Sequence, residues 1–203
     1  MTHAVYLEKL KQSVLEFITD FSEQEALTAL ADFLPLFQMQ KLNKSEFFIQ
    51  AGDHAAHLAF IGQGVMRAFH TSPEGNEYTK TIFQEGQFVA PLAALTTGDV
   101  SPISLQALTP MELLVADYSM LNRLYRRHHC LEHMGRSVIQ WEWVKKEIRE
   151  IRLVTLSAEE RYDIFLKEHT GLEHRIPWYY IASHLGITPV ALSRIRARKK
   201  KRD

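Results

Sequence analysis

Seven basic residues crowd the last ten positions of this 203-residue chain: Arg194, Arg196, Arg198, Lys199, Lys200, Lys201 and Arg202, against the single acid Asp203. The chain as a whole is formally neutral, so this end carries +6 and everything before it −6. A neutral average with one concentrated basic end points to a localised polyanion contact. A solvated tail or an expression remnant is the bland alternative. The residues just ahead give the charge a geometry. Pro177 suits the first position of a short helix over 177–185, with Ile181 and Leu185 on its inner side. Gly186 stands where the chain must turn with positive φ. Thr188 is a good N-cap and Pro189 a good first residue for a second helix, whose Leu192 and Ile195 face inward. Ala182 is small where two helices must approach. Together these read as a helix-turn-helix whose second helix enters the major groove of DNA.

Roles follow from that placement. Thr188, Pro189, Val190, Ser193 and Arg194 lie near the N-terminal end of the second helix, where base edges are reached. Arg194 has the fork to take guanine O6 and N7 together, whereas Val190 offers only apolar contact, as to a thymine methyl. Arg196, Arg198 and Lys199 to Arg202 are assigned to phosphates, which give salt-dependent affinity and little sequence information. Tyr179 and Tyr180 are further phosphate donors, one of which the core is expected to claim.

Other chemistry is thinner. His128, His129, Cys130 and His133 form the densest soft-ligand cluster, and His129 and His133 share a helix face as metal ligands would. A polar helix junction around a buried thiol accounts for the same residues. His54 and His57 flank a turn without a nearby third ligand. No P-loop, dinucleotide glycine fingerprint or nucleophile elbow occurs. No catalytic residue, metal ligand or cofactor is therefore assigned.

The elements that must position these residues are legible in outline. Val5, Leu7, Leu10, Val14, Phe17, Ile18 and Phe21 keep a helical rhythm. Ser22 and Glu25 form a capping box that opens a second helix to about Phe33. Between Gln38 and Asp117, short apolar or alternating runs (46–50, 58–61, 65–71, 78–84, 103–108, 112–116) are separated by turn signals such as Gly62-x-Gly64 and Pro73 to Asn76. This predicts an antiparallel sandwich or barrel with an interior pocket. Asp117 is a candidate N-cap. A long helix then runs over about 130–154, roughly 37 Å at 1.5 Å per residue. Leu131, Met134, Val138, Trp141, Lys145, Ile148 and Arg152 repeat at 3-4 spacing along it, flanked by Val144 and Ile151, and predict a homodimer seam beyond what packing on the chain's own sheet explains. Ser157 and Glu160 cap a further helix to about Glu168.

Composition narrows the classes further. Hydrophobic residues make up 46% of the chain, ample for a packed core. No run approaches the roughly 18 apolar residues of a membrane span, and residues 1–11 lack the pattern of a signal peptide. The single cysteine excludes an internal disulfide framework and a four-cysteine cluster within one chain. It fits a cytoplasmic protein.

The layout of leading helices, β-roll, long helix and helix-turn-helix resembles the Crp/Fnr family of bacterial regulators over nearly the whole chain. The most specific stretches are 181–189, IASHLGITP, and 192–196, LSRIR. The resemblance implies a homodimer on near-palindromic double-stranded DNA, with half-sites about 34 Å apart. In members that bind cyclic nucleotides, a Phe-Gly-Glu segment and an Arg-Ser pair hold the ribose and cyclic phosphate. Here the stretches read Phe88-Val89-Ala90 and Ser101-Pro102, and no Lys or Arg lies between Lys80 and Arg123. A buried phosphate without a cation is costly, so a cyclic nucleotide, cyclic AMP included, is disfavoured as effector. The family's small β-wing after the recognition helix is also missing. Pocket candidates are Phe88, Val89, Ala90, Pro91, Leu92, Ser101 and Leu105, with Leu95 nearby, a neutral apolar set that suits an uncharged or lipophilic ligand or none.

The reading is thus an α+β protein: a β-roll (jelly-roll-like) sensor domain over 1–117, a helical linker and dimerisation helix over 118–154, and a helix-turn-helix DNA-binding domain over 155–203. It is a transcription regulator, not an enzyme, with double-stranded DNA and a second copy as partners. A cupin-like metalloenzyme, or a cupin-like metal- or small-molecule-binding protein, with a structural C-terminal helical hairpin is the alternative.

Overall fold

The computed structural model describes residues 2–200. Lys201 and Arg202, assigned above to phosphates, lie outside the described residues. Helix α1 (His3–Leu15) buries Tyr6, Leu10 and Val14 along one side. Its ring-bearing Tyr6 lies so close to Gly62 that a Cβ there would sit 2.6 Å from the ring. Helix α2 (Glu23–Phe33) starts on the expected capping box of Ser22 and Glu25. Eight strands follow: β1 (Gln38–Leu42), β2 (Phe47–Ile49), β3 (His57–Gln63), β4 (Met66–Thr71), β5 (Glu77–Phe83), β6 (Phe88–Val89), then helix α3 (Leu92–Thr97), β7 (Ser104–Ala107) and β8 (Met111–Asp117). All six runs expected from the sequence are strands; β1 and the two-residue β6 are additional.

The strands form two antiparallel four-stranded sheets, ordered β1-β8-β3-β6 and β2-β7-β4-β5. Their inner faces share a core that includes Ala59, Ile61, Met66, Leu105 and Leu113. Two stacked antiparallel sheets of short strands are the β-roll that the alternating runs required. The outer face of the first sheet, with Leu58, Phe60 and Leu114, packs with α1, α2 and the start of α5 in a separate core.

Asp117 ends β8 and caps α4 (Tyr118–Tyr125), its Oδ1 accepting from the amides of Ser119 at 2.7 Å and Met120 at 3.1 Å. The long helix α5 (His129–Thr155) has 27 residues, about 40 Å. Its first two turns are internal: Cys130, Leu131 and Met134 are buried and Val138 packs against the same core. Leu131 and Met134 are buried within the protomer and so do not lie on a face open to a second copy, which corrects that expectation for these two; Val138 is only half-buried. The periodicity was real, but its partner over this half is the chain's own sheet and helices. Gly135 is the gap that admits the Tyr125 ring; a Cβ there would lie 2.6 Å from the Tyr125 hydroxyl.

The C-terminal part holds α6 (Ala158–Glu168), capped by Ser157 and Glu160, then α7 (Trp178–His184) and α8 (Pro189–Lys199). Tyr162, Phe165, Leu172, Ile181, Leu185 and Leu192 are among its buried core. No helix of the described residues is long and apolar enough to cross a membrane.

Candidate nucleic-acid interface

The helix-turn-helix is built as its residue types dictate. Pro177 is the N-cap of α7 with extended backbone, one position earlier than expected. Ala182 is fully buried where α7 and α8 approach. Gly186 has φ +69°, the left-handed turn between the helices. Thr188 caps α8, its hydroxyl accepting from Ala191 N at 3.1 Å, and Pro189 follows at N1. Leu192 and Ile195 anchor α8 to the core. That rotation leaves Thr188, Pro189, Val190, Ser193 and Arg194 exposed on one continuous face at the positive end of the helix. All five expected base-edge candidates are brought together.

The residues assigned to phosphates sit differently. Arg196 lies over the Trp178 ring. Arg198 pairs with Glu159 at 3.4 Å and Lys199 with Asp163 at 2.5 Å, both acids belonging to α6. Arg198 is exposed, whereas Glu159, Asp163 and Lys199 are half-buried, so these pairs hold the end of α8 against α6. Tyr179 is exposed. Tyr180 turns inward, and it is the tyrosine that the core claims.

Tyr180 leads to a group that no local pattern announced. Arg67 on β4 is only 2% exposed. Its guanidinium lies 3.8 Å from the Phe69 ring centroid and 4.1 Å from that of Tyr180, pairs with Glu77 at 2.6 Å and donates to Gln106 Oε1. Around it α7 docks against β5. The amide of Thr79 donates to Ser183 Oγ at 2.8 Å, and Arg149 of α5 donates to the His184 carbonyl at 2.8 Å and to the Tyr78 hydroxyl at 2.7 Å. Arg175 grips Glu85 bidentately. Arg161 donates to the carbonyls of Leu153, Leu156 and Leu185, tying the end of α5 to the turn between α7 and α8. The β-roll, the long helix and the C-terminal helices are thus joined by charged hydrogen bonds.

Two histidines lie at the same junction. Burial pushes His184 down to about 3 and lowers His169, whose Nδ1 contacts Gln84 Nε2 at 2.8 Å. Burial disfavours the protonated form of both in the folded chain, most strongly for His184, whereas an unfolded histidine titrates near 6.5. Below that pH the unfolded state takes up protons that the folded state refuses. Stability is therefore full above about pH 6.5 and falls as pH drops towards 3, by at most ~1.4 kcal/mol per group per pH unit. The urea midpoint is expected to fall between pH 7.5 and 5, and His184→Gln to remove part of that slope. A midpoint that rises on acidification contradicts this assignment.

The β-roll and α5 border a partly open cavity of about 470 Å³. Phe88, Ala90, Pro91, Leu92 and Leu105 line it as expected. Val89 does not, because alternation along β6 turns it into the inter-sheet core. Ser101 does not either; it is buried, with its hydroxyl donating to the Ile103 carbonyl at 2.7 Å. Leu95 is not in the lining. Nor is the cavity electrically neutral: Lys80, Glu142 and Lys146 stand in its wall, the last two from α5.

One face of the second half of α5 is uncovered by the rest of the chain. Trp141, Val144, Ile148 and Ile151 are 60%, 39%, 41% and 53% exposed and repeat at 3-4 spacing on one face. Of the expected seam, Trp141 and Ile148 belong to this face. Lys145 instead pairs with Glu142 at 2.8 Å and Arg152 with Glu168 at 2.7 Å. His128 contacts Asp32 at 2.9 Å and Cys130 is buried, its thiol pushed up by desolvation. Among the described residues no group of three metal-ligating side chains converges.

Residues 39–128 match the family model of the cyclic nucleotide-binding domain. Three solved structures are similar over most of both chains. The c-di-GMP-responsive global regulator CLP of Xanthomonas campestris has 16% identity over 86% of this chain and 92% of its own, with TM-score 0.69. FixK2 of Bradyrhizobium japonicum has 16% identity over 82% and 85%, with TM-score 0.72. The catabolite activator protein of Thermus thermophilus has 19% identity over 94% and 87%, with TM-score 0.55. The chain has the Crp/Fnr fold. No curated protein sequence matches it significantly. Within that fold the segment matched by the family model is the β-roll with α4.

Proposed function

We propose that this chain is a Crp/Fnr-type transcription regulator that binds near-palindromic duplex DNA as a homodimer, under control of an effector seated between the β-roll and α5. One observation carries the reading: the N-terminal half of α8 exposes Thr188, Pro189, Val190, Ser193 and Arg194 together, while Leu192 and Ile195 fix its rotation from behind. The apolar face of Trp141, Val144, Ile148 and Ile151 supports the dimer, since exposed apolar stripes of this length mark interaction surfaces. The departures at Phe88 to Ala90 and at Ser101-Pro102 support an effector other than a cyclic nucleotide. The α6 carboxylates that hold Arg198 and Lys199 give way to phosphates on docking, and Lys200 adds to the same grip.

Selection from a random pool of duplexes tests this. The expected product is an inverted repeat with half-sites one helical turn apart. Arg194→Ala is expected to weaken binding to it about 10- to 100-fold and to relax preference at one base pair per half-site, the loss of about 1–3 kcal/mol that a bidentate contact supplies. Enrichment of no common sequence overturns the reading.

A further inference from the structure

The cavity beneath α5 differs sharply between its floor and its edge. Phe33, Leu58, Ala68, Leu105 and Met134 make the floor, which offers no charged side chain. At the edge stand Lys80 from β5 and Lys146 from α5. Neither ammonium has a salt-bridge or hydrogen-bond partner among the described residues, and the nearest cavity carboxylate, Glu142, is engaged by Lys145. Lys80 is held below the usual lysine range first by burial, then by the charges of Lys146 and Arg149, with Glu150 opposing. Both lysines also line the neighbouring groove between β5, α5 and α6, so they stand at the neck joining two hollows.

We infer that the cavity takes an organic anion with one charged head and an apolar body, such as a fatty acyl or arylalkyl carboxylate, with the head between Lys80 and Lys146 and the body on the apolar floor. This rests on the effector reading above and names the ligand class for that site. Each alternative class meets a physical objection. An organic cation faces two unpaired ammoniums. An uncharged ligand leaves their mutual repulsion in place. A sugar phosphate buries most of its hydroxyls against that apolar floor, while the hydroxyls of the lining, such as Thr96, Thr97 and Tyr125, reach only part of it.

The position of the head gives the ligand a route to the DNA-binding helices. Lys146 and Arg149 are three apart on α5 and so share a face. Arg149 holds the His184 carbonyl at the end of α7. An anion at the neck relieves repulsion among Lys80, Lys146 and Arg149 and strengthens the contact between α5, β5 and α7.

Calorimetric titration of the full chain with decanoate, decan-1-ol and decyltrimethylammonium, each below its micelle concentration, tests the inference. Decanoate is expected to bind at least tenfold more tightly than the alcohol, and the ammonium compound least tightly of the three. In Lys80→Met/Lys146→Met the acid-to-alcohol ratio is expected to fall to about one through loss of acid binding. Equal binding of acid and alcohol by the unaltered chain overturns the inference, as does a ratio that survives in the double variant. Tighter binding of cyclic AMP than of decanoate overturns it too, as does no binding of any compound. If salt-dependent duplex binding persists in that last case, the ligand class alone falls; if it is absent as well, the regulator reading falls with it.

Discussion

Ile148→Glu is expected to convert the protein to a monomer and to lower its affinity for a two-half-site operator by roughly 10²- to 10⁴-fold. Ile148 lies midway along the exposed apolar face of α5, between Val144 and Ile151. In a two-fold dimer the same residue meets its own copy or a near neighbour, so one substitution places two carboxylates in one apolar seam. Desolvating them unpaired costs several kcal/mol. Once the copies separate, each reading head binds its half-site alone, without the high effective concentration that linkage supplies. Sedimentation and fluorescence anisotropy read the two effects separately. Leu131→Ala is the matched control: Leu131 is fully buried inside the protomer, so this change is expected to cost about 2–5 kcal/mol of stability and to leave association intact. A dimeric Ile148→Glu protein, or a monomeric Leu131→Ala protein that remains folded, contradicts the placement of the seam.

The second large effect is expected at Arg67. Arg67→Ala removes a buried guanidinium from between two rings and leaves Glu77 and Gln106 without their partner. Glu77 is half exposed and recovers water, so the expected loss lies near the lower end for a broken buried pair, about 3 kcal/mol. For a chain of this size that is roughly 6–12 °C in Tm. Arg67→Met keeps much of the packing volume and is expected to cost clearly less, because an apolar isostere leaves fewer buried charges to satisfy. Thermal unfolding of the three proteins checks this ordering. An alanine variant within about 1 kcal/mol of the parent shows that Arg67 does not hold α7 to the sheet.

Arg67 also marks where sequence reasoning runs out. Its stacking partner Tyr180 is more than a hundred residues away, and no periodicity relates them. The features that were legible are local ones. Ser22 with Glu25, Ser157 with Glu160, Asp117 and Thr188 each satisfy backbone amides within three residues, so the sequence itself encodes those helix starts. Gly186 and Ala182 were legible for the same reason, as the turn and the close approach lie within one hairpin. The long helix misled because a 3-4 repeat states which residues share a face and not what covers it. Leu131, Met134 and Val138 meet the chain's own core, and only beyond Val138 is the apolar face free. The cavity misled in a related way. Counting cations between Lys80 and Arg123 described the β-roll alone, whereas α5 brings Lys146 to the same wall.

The central claim is that α8 reads duplex DNA with a basic end that grips phosphates. Binding of the full chain to a duplex across a range of salt concentrations tests it most directly. Phosphate contacts release condensed counterions, so log K is expected to fall linearly with log salt at about −0.9 per contact. Several contacts per reading head predict a steep line, and Arg198→Ala with Lys199→Ala is expected to make it shallower. A flat dependence, or no binding even at low salt, contradicts the account.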